Sequence, residues 1–238
     1  MYCPDNPFVK RDKKRWSLFN QSAKYYDRIV YIQPSRIKLA KKNGLNNHYL
    51  TSPHYERSVH KRYKINKNFK KQFNTDVIFI GTWFPDRGHF IKKVIEANIN
   101  IKIYGSRWDK DRFYKILKSK INLGHFGGPI YSKLIQSSKI AICLTSTQNL
   151  DSITSRSVEI PAIGTFMLAI KTKTHQNILL ANKEATYFKD VNECIKKCRY
   201  YLKNALERET IANNGHKKIV KKLKLNNENL FNKILNFN

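Results

Sequence analysis

The chain has 238 residues, with 46 Lys and Arg against 17 Asp and Glu, so a formal net charge of +29 rests on an ordinary 26% of charged residues. With 41% hydrophobic and 12% aromatic residues there is enough apolar material for a packed core, which argues against a disordered chain. No apolar run reaches the roughly 18 to 20 residues that cross a bilayer, no charged-then-apolar leader opens the sequence, and four cysteines do not make a disulfide framework, so the expected location is the cytoplasm.

Residues 1–70 and 71–238 differ in texture. YYDRIVYI (25–32) is apolar and β-branched enough for a strand. Ser35 fits as the cap of a short helix, SRIKLAKKNG, that stops at Gly44. LNNHYLTSP reads as a second short strand halted before Pro53, and the polar, basic stretch 53–74 as an interdomain connection. From Asp76 the pattern becomes regular. DVIFIG (76–81) is a continuous apolar run ended by glycine, as expected of a parallel strand buried on both faces. Asp86 fits as the cap of a helix in which Phe90, Val94, Ile95 and Ala97 fall at helical spacing. INIKIYG (99–105) is a second strand, WDKDRFYKILKSK a helix, GHFGGPI (124–130) a glycine-rich turn or short strand, and YSKLIQSSK a helix. IAICLTS (140–146), TFMLAI (165–170) and ATYF (185–188) are further strands. DSITSRSVEIPAIG (151–164), VNECIKKCRYYLKNA and ERETIANNGHKKIVKKL are further helices.

Strands alternating with helices at these lengths predict βαβ units in a doubly wound parallel sheet of five or six strands. Ligands bind such sheets at the carboxyl ends of the strands. Small residues are read there at Gly81-Thr82, Gly105-Ser106, Thr145-Ser146 and Gly164-Thr165, where backbone N–H groups can approach an anion.

The most specific stretch runs from Asp151 through Arg156, Glu159 and Gly164 to Leu168. Its two acids lie eight residues apart, on nearly one face of the predicted helix. It resembles the E-x7-E region of GT-B glycosyltransferases, and more closely the R-x-x-E-…-G-x-F-x-L pattern of the CgeB-type, spore-protein-like family. DVIFIGTWFPDR, IKIYGSRW, GPIYSKLIQSSKIAICL and TIANNGHKKIV resemble further segments of that family's C-terminal domain, in order. DNPF, YYDRIVYI and SPHYERSVH resemble the end of its N-terminal domain and the linker.

The resemblance implies an α/β chain that is the C-terminal half of a GT-B fold, with a Rossmann-like doubly wound parallel sheet and a partial N-terminal segment. Residues 1–70 would be the remnant of the N-terminal domain plus linker, 71–220 the nucleotide-sugar-binding domain, and 221–238 a C-terminal helix or tail. The implied activity is sugar transfer from a nucleotide diphosphate sugar to an acceptor hydroxyl, with no obligatory metal and no cofactor beyond that co-substrate. Glu159 would accept hydrogen bonds from the donor ribose. Gly81 and Thr82 would line the diphosphate or cleft wall, and Arg87 and Arg156 would neutralise the leaving group. Tyr104, Gly127 and Gly128 would border the base, and Asp151 through Ser155 would start the helix facing the sugar-phosphate. Asp151 stands where many GT-B enzymes have Glu, most of the N-terminal domain is missing, and Pro161 should kink or shorten its helix. The catalytic group is unassigned. The acceptor would be a glycan, lipid or protein.

Other constellations carry less. Asp109-Lys-Asp111 matches a D-x-D metal motif but opens a predicted helix, where acids suit the dipole. Cys194 and Cys198 have no His or Cys nearby to complete a metal set, and His125 is the histidine beside the Gly127-Gly128 turn. The 34 Lys against 12 Arg, with 24 Asn, fit a codon bias better than a nucleic-acid interface. A basic nucleic-acid-binding protein and a non-catalytic glycosyltransferase remnant are the alternatives. Surplus lysines could also hold the protein at an anionic membrane.

Overall fold

The computed structural model describes residues 1–236. Strands are β1 (Tyr2–Cys3), β2 (Ile29–Tyr31), β3 (His48–Leu50), β4 (Thr75–Ile80), β5 (Ile101–Gly105), β6 (Ile121–Leu123), β7 (Ser138–Cys143), β8 (Phe166–Ile170) and β9 (Thr186–Phe188). Helices are α1 (Ser17–Ser22), α2 (Pro34–Lys42), α3 (Lys67–Phe73), α4 (Pro85–Glu96), α5 (Tyr114–Leu117), α6 (Gly128–Gln136), α7 (Arg156–Ile163), α8 (Lys173–Ile178), α9 (Val191–Lys203), α10 (Ala205–His216) and α11 (Asn227–Leu235). The chain forms two compact units. Residues 1–53 with 145–154 make the first, and 54–144 with 155 onward the second.

The first unit holds a parallel sheet in the order β1-β2-β3. Ile29 and Tyr31 of β2 pack with Cys3, Phe19, Ala23, Ala40 and Leu45 in a core of its own. Burial pushes the Cys3 thiol up to about 11, so it stays a neutral packing group.

The second unit is a six-stranded, all-parallel sheet in the order β6-β5-β4-β7-β8-β9. The order reverses between β4 and β7, the switch point of a doubly wound sheet. Continuous apolar strands arise here because both faces are covered. Val77 and Phe79 of β4, Ile140 and Ile142 of β7, and Phe166 and Leu168 of β8 enter the core that includes Ile91 and Val94 of α4 and Cys194 and Cys198 of α9. Their alternates Ile78, Ile80, Ala141, Cys143, Met167 and Ala169 enter the core beneath α6 and α7. Each large apolar side chain so buried contributes roughly 1.5–3 kcal/mol. Cys194 and Cys198 are buried packing groups of α9, with their mutual hydrogen bond and then burial holding Cys194 far above the ordinary thiol range.

Several expected elements shift. The helix expected over 151–164 begins only at Arg156, because Asp151 N–H donates to the Ser146 carbonyl (2.9 Å) and Ser152 N–H to Gln33 Oε1 (2.9 Å). Asp151 and Glu159 therefore do not share a helix face. Pro161 sits inside the eight-residue α7, and Gly164 closes it at φ +87. The helix expected at 108–120 breaks into short turns, and β6 follows it as an added edge strand. Gly164-Thr165 precedes β8, so it stands at the amino end of a strand, not the carboxyl end. The stretch read as a connection forms α3 and joins the second unit. Tyr55 N–H donates to the Leu225 carbonyl at 2.9 Å, and Ser132 Oγ to the Val59 carbonyl at 2.8 Å.

One glycine in this sheet is fixed by its neighbour. At Gly105 (φ +156) an added Cβ would stand 2.1 Å from the Gly81 carbonyl oxygen, a backbone atom with no room to yield. Gly105→Ala is expected to destabilise the second unit by about 2–3 kcal/mol, read as a lower urea midpoint at unchanged slope. An unchanged midpoint would contradict the packing described.

Candidate functional site

The site is assembled at the carboxyl ends of β4, β5 and β7 in the second unit. β4 runs into the Gly81-Thr82 turn, which lies against the end of β5. Gly81 N–H donates to the Tyr104 carbonyl at 2.9 Å, and Trp83 N–H to the Ser106 carbonyl at 3.0 Å. The hydroxyls of Thr82 and Ser106 are 3.3 Å apart, and Trp108 Nε1 donates to the Gly81 carbonyl at 2.9 Å. Arg87, 3% exposed, donates to the Thr82 carbonyl and lies over the rings of Phe84 (4.7 Å) and Phe79 (5.4 Å). Its cation ties the turn to α4. Asp111 of the D-x-D sequence is a brace, accepting from Trp83 Nε1 at 2.6 Å and Phe113 N–H at 2.7 Å.

Gly127 and Gly128 lead into α6, with Gly128 at φ +58 and no atom within 4 Å of an added Cβ at either. The space before α6 is open. Tyr104 lies behind it, buried and edge-on to Phe126 at 5.0 Å, and burial raises its hydroxyl pKa.

Glu159 lies in the first turn of α7, where an acid suits the helix dipole. Tyr131 of α6 donates its hydroxyl to Glu159 Oε2 at 2.9 Å, and His60 Nε2 stands 3.8 Å from Oε1. The Tyr131 hydroxyl is held well above its ordinary pKa by burial, reinforced by the Glu159 carboxylate, so it remains a donor. Arg156, the first residue of α7, reaches the Leu144 carbonyl with Nη2 at 3.3 Å, while its buried Nε has no hydrogen-bond partner. A cation at a helix N-terminus opposes the dipole, so this placement favours an anion in front of it.

A buried layer fixes α7 from below. His175 Nδ1–H donates to the Ile170 carbonyl (2.8 Å), which leaves Nε2 to accept from Ser157 Oγ at 2.7 Å. Ser157 Oγ is also 3.7 Å from Cys143 Sγ on β7. All three are buried, so this is a structural relay and not a nucleophile with its base. In the first unit, Asp151 Oδ1 accepts from Arg36 Nη2 at 2.9 Å.

The structure thus gathers Arg156 and Glu159 on one turn of α7 and adds Tyr131, which lies inside the quoted G-P-I-Y segment. It also adds His60, the last residue of the quoted SPHYERSVH segment, to which the sequence assigns no site role. His125, the histidine singled out in the sequence, is not the one beside Glu159. Two histidine rings that pack here have their titration shifted. Burial lowers His60 and His216 below the ordinary 6.5, with Glu159 pulling His60 upward and Arg62 adding to the drop at His216. A depressed histidine contributes stability that is complete above pH 6.5 and lost as pH falls through the folded value. The thermal midpoint is expected to fall between pH 7 and pH 5, and His216→Gln to reduce that fall. A flat profile in wild type would contradict it.

Among the described residues no group of three or more His, Cys, Asp or Glu could hold a metal, and no helix is long and apolar enough to cross a membrane. None of the curated proteins compared matches the sequence significantly. Among solved structures, Anabaena HepE in complex with UDP-glucose aligns at TM-score 0.74 and 10% identity, over 98% of this chain and 70% of that one. Sucrose-phosphate synthase from Thermosynechococcus elongatus aligns at 0.66 and 12%, over 95% and 63%. A variant of S. aureus TarM in complex with fondaparinux, α-GlcNAc-glycerol and UDP aligns at 0.69 and 16%, over 99% and 49%. These likenesses are of fold, and the six-stranded parallel sheet flanked by helices matches the Rossmann-like domains of GT-B proteins. The chain spans just under two thirds of the sucrose-phosphate synthase and about half of TarM. Its sequence matches the glycosyl transferase-like family over residues 87–228, more than half its length, and the chain belongs to that family.

Proposed function

We propose that the second unit binds a nucleotide diphosphate sugar and supports transfer of its sugar to an acceptor hydroxyl, as in the CgeB-type branch of the GT-B enzymes. The observation that carries this reading is one turn of α7. It presents the Tyr131-held Glu159 carboxylate and the under-partnered Arg156 guanidinium together, at the carboxyl ends of a parallel sheet. A carboxylate has about four acceptor positions. One accepts from Tyr131, and those left over suit the vicinal hydroxyls of a ribose. Arg156 and the N-terminus of α7 suit the charge that grows on a departing diphosphate. Gly81, Thr82 and the open Gly127-Gly128 turn would border the donor, with Arg87 holding the first of these loops in shape and Tyr104 backing the second. UDP or UDP-glucose in the two named complexes makes a uridine nucleotide the first probe.

In this reading residues 71–220 carry the donor site, residues 1–70 supply the end of an N-terminal domain and its linker, and 221–238 a C-terminal helix or tail. The site is drawn on the second unit alone, and Asp151 belongs to the first. The transfer itself needs no metal, because Arg156 and helix N–H groups supply the positive charge. The acceptor is a glycan, lipid or protein, and the lysine surplus would keep the protein close to anionic membrane in the cytoplasm.

The test is calorimetry with UDP, GDP and ADP on wild type and Glu159→Ala. At least one nucleotide should bind wild type, and the variant should bind it about 10- to 100-fold more weakly, the worth of two charge-assisted hydrogen bonds. Absence of binding by all three, or equal affinity in the variant, would sink the donor site.

A further inference from the structure

His60 lies far from Glu159 in sequence, in the basic stretch that precedes the sheet. The chain turn 56–60 fixes its ring. Glu56 N–H donates to His60 Nδ1 at 3.0 Å, and the Ser132 hydroxyl bonds the neighbouring Val59 carbonyl at 2.8 Å. Because Nδ1 accepts a hydrogen bond from a backbone N–H, it carries no proton, and the neutral ring holds its one proton on Nε2. That nitrogen faces Glu159 Oε1 at 3.8 Å. The ring stands edge-on to Tyr131, 5.6 Å between centroids, and Tyr131 itself bonds the other oxygen of the same carboxylate.

We infer that His60 is a positioning residue for the donor site: the Tyr131 hydroxyl bonds one oxygen of Glu159, the His60 Nε2–H edge, 3.8 Å from the other, orients it electrostatically, and the remaining acceptor positions are left for a vicinal diol. This rests on the reading of Glu159 given above. The charged and titratable groups that face the ring are Glu159 from α7, Tyr131 from α6 and Glu56 from its own segment. The Glu56 carboxylate is itself engaged by Ser58, and by Asn227 at 3.1 Å. Burial holds the ring neutral, which agrees with the tautomer that the Glu56 N–H dictates. The arrangement selects for a diol. One hydroxyl alone could bind a carboxylate in several poses, whereas two adjacent hydroxyls need the carboxylate plane set in advance. His60 contributes that setting and touches no substrate.

A ligand difference tests this where a stability measurement cannot. UDP and 2′,3′-dideoxy-UDP are titrated calorimetrically into wild type, His60→Ala, His60→Gln, His60→Asn and Glu159→Ala. His60→Ala should weaken UDP about three- to tenfold, as the Glu159 carboxylate loses its set orientation, and leave dideoxy-UDP within about twofold of wild type. His60→Gln, whose amide nitrogen can stand near the Nε2 position, should recover most of the UDP affinity, while the shorter asparagine should not. Equal losses for both ligands would show a merely structural role and overturn the inference, as would full UDP affinity in His60→Ala. Should His60→Ala unfold, the Gln and Asn pair decides: equal UDP affinity in the two overturns it. If wild type binds UDP and Glu159→Ala loses it while every His60 variant keeps it, the His60 inference alone falls. The same comparison is made with GDP or ADP and its 2′,3′-dideoxy analogue where that is the nucleotide wild type binds, and if wild type binds none of the three the donor-site reading falls with the inference.

Discussion

Arg36→Ala is expected to be the most damaging single change in the first unit, at about 3–5 kcal/mol, the cost of removing one partner from a buried ion pair. The guanidinium is fully buried, and burial alone pulls its pKa down, so the charge survives there through its partners. It donates to Asp151 Oδ1 at 2.9 Å, to the Asn149 carbonyl and to Ser35 Oγ at 3.0 Å. All of these belong to the same unit, in which segment 145–154 is bound to residues 1–53. Asn6 Nδ2 adds a bond to the Asn149 carbonyl at 3.2 Å, and Gln33 accepts from Ser152. Alanine removes the cation and opens a cavity beside a core that includes Tyr31 and Cys3. Arg36→Lys keeps the charge but loses the planar fork, and should recover only part of the loss. Arg36→Met keeps volume without charge. It should recover only the cavity part of the alanine loss, because the Asp151 carboxylate stays in place without its cation. The measurement is amide hydrogen exchange at Ile29, Val30 and Tyr31 of β2, which reports the first unit separately from the second. Protection at β2 unchanged in Arg36→Ala would refute the assigned role of the pair.

Why the sheet was legible and the site only partly so follows from where each signal resides. β4, β7 and β8 are continuous apolar runs, since Val77 and Phe79 face one core and Ile78 and Ile80 the other. A buried parallel strand must look like that in sequence. Boundaries at α7 were not legible, because Asp151 and Ser152 have good helical neighbours and bind elsewhere through Ser146 and Gln33. The 108–120 segment has helical spacing, yet Asp111 accepts from Trp83 and Phe113, and that brace breaks the helix after three residues. Arg156 and Glu159 were legible because they lie three apart with a terminating glycine after them. Arg87, legible as a cation in the right loop, proved to be folded back onto Thr82 and two rings. His60 lay inside the quoted SPHYERSVH segment, but its place at the site could not be read there. Its meaning comes from a backbone N–H at Glu56 and a carboxylate 99 positions away, and neither leaves a trace in local spacing.

Arg156→Ala is expected to separate the diphosphate from the nucleoside. Among the groups around Glu159, Arg156 carries a positive charge that is weakly anchored: its Nη2 reaches one carbonyl at 3.3 Å, and its Nε is buried without a hydrogen-bond partner. Leaving a buried guanidinium nitrogen unsatisfied costs about 1–3 kcal/mol, and standing at the N-terminus of α7 adds a further few tenths against the dipole. An anion that accepts from this group relieves both, so the substitution should cost ligand affinity and little stability. UDP should bind Arg156→Ala about 30- to 100-fold more weakly than wild type, while uridine should bind both alike within about twofold. Glu159→Ala should weaken uridine and UDP together, since the ribose is common to both. The UDP affinity of wild type should fall with added salt, and that dependence should flatten in Arg156→Ala. Arg156→Lys should restore less than half of the lost free energy, because a point charge cannot replace the fork on a phosphate. Equal losses for uridine and UDP in Arg156→Ala would move the diphosphate away from α7 and leave the Gly127-Gly128 opening as the place to look.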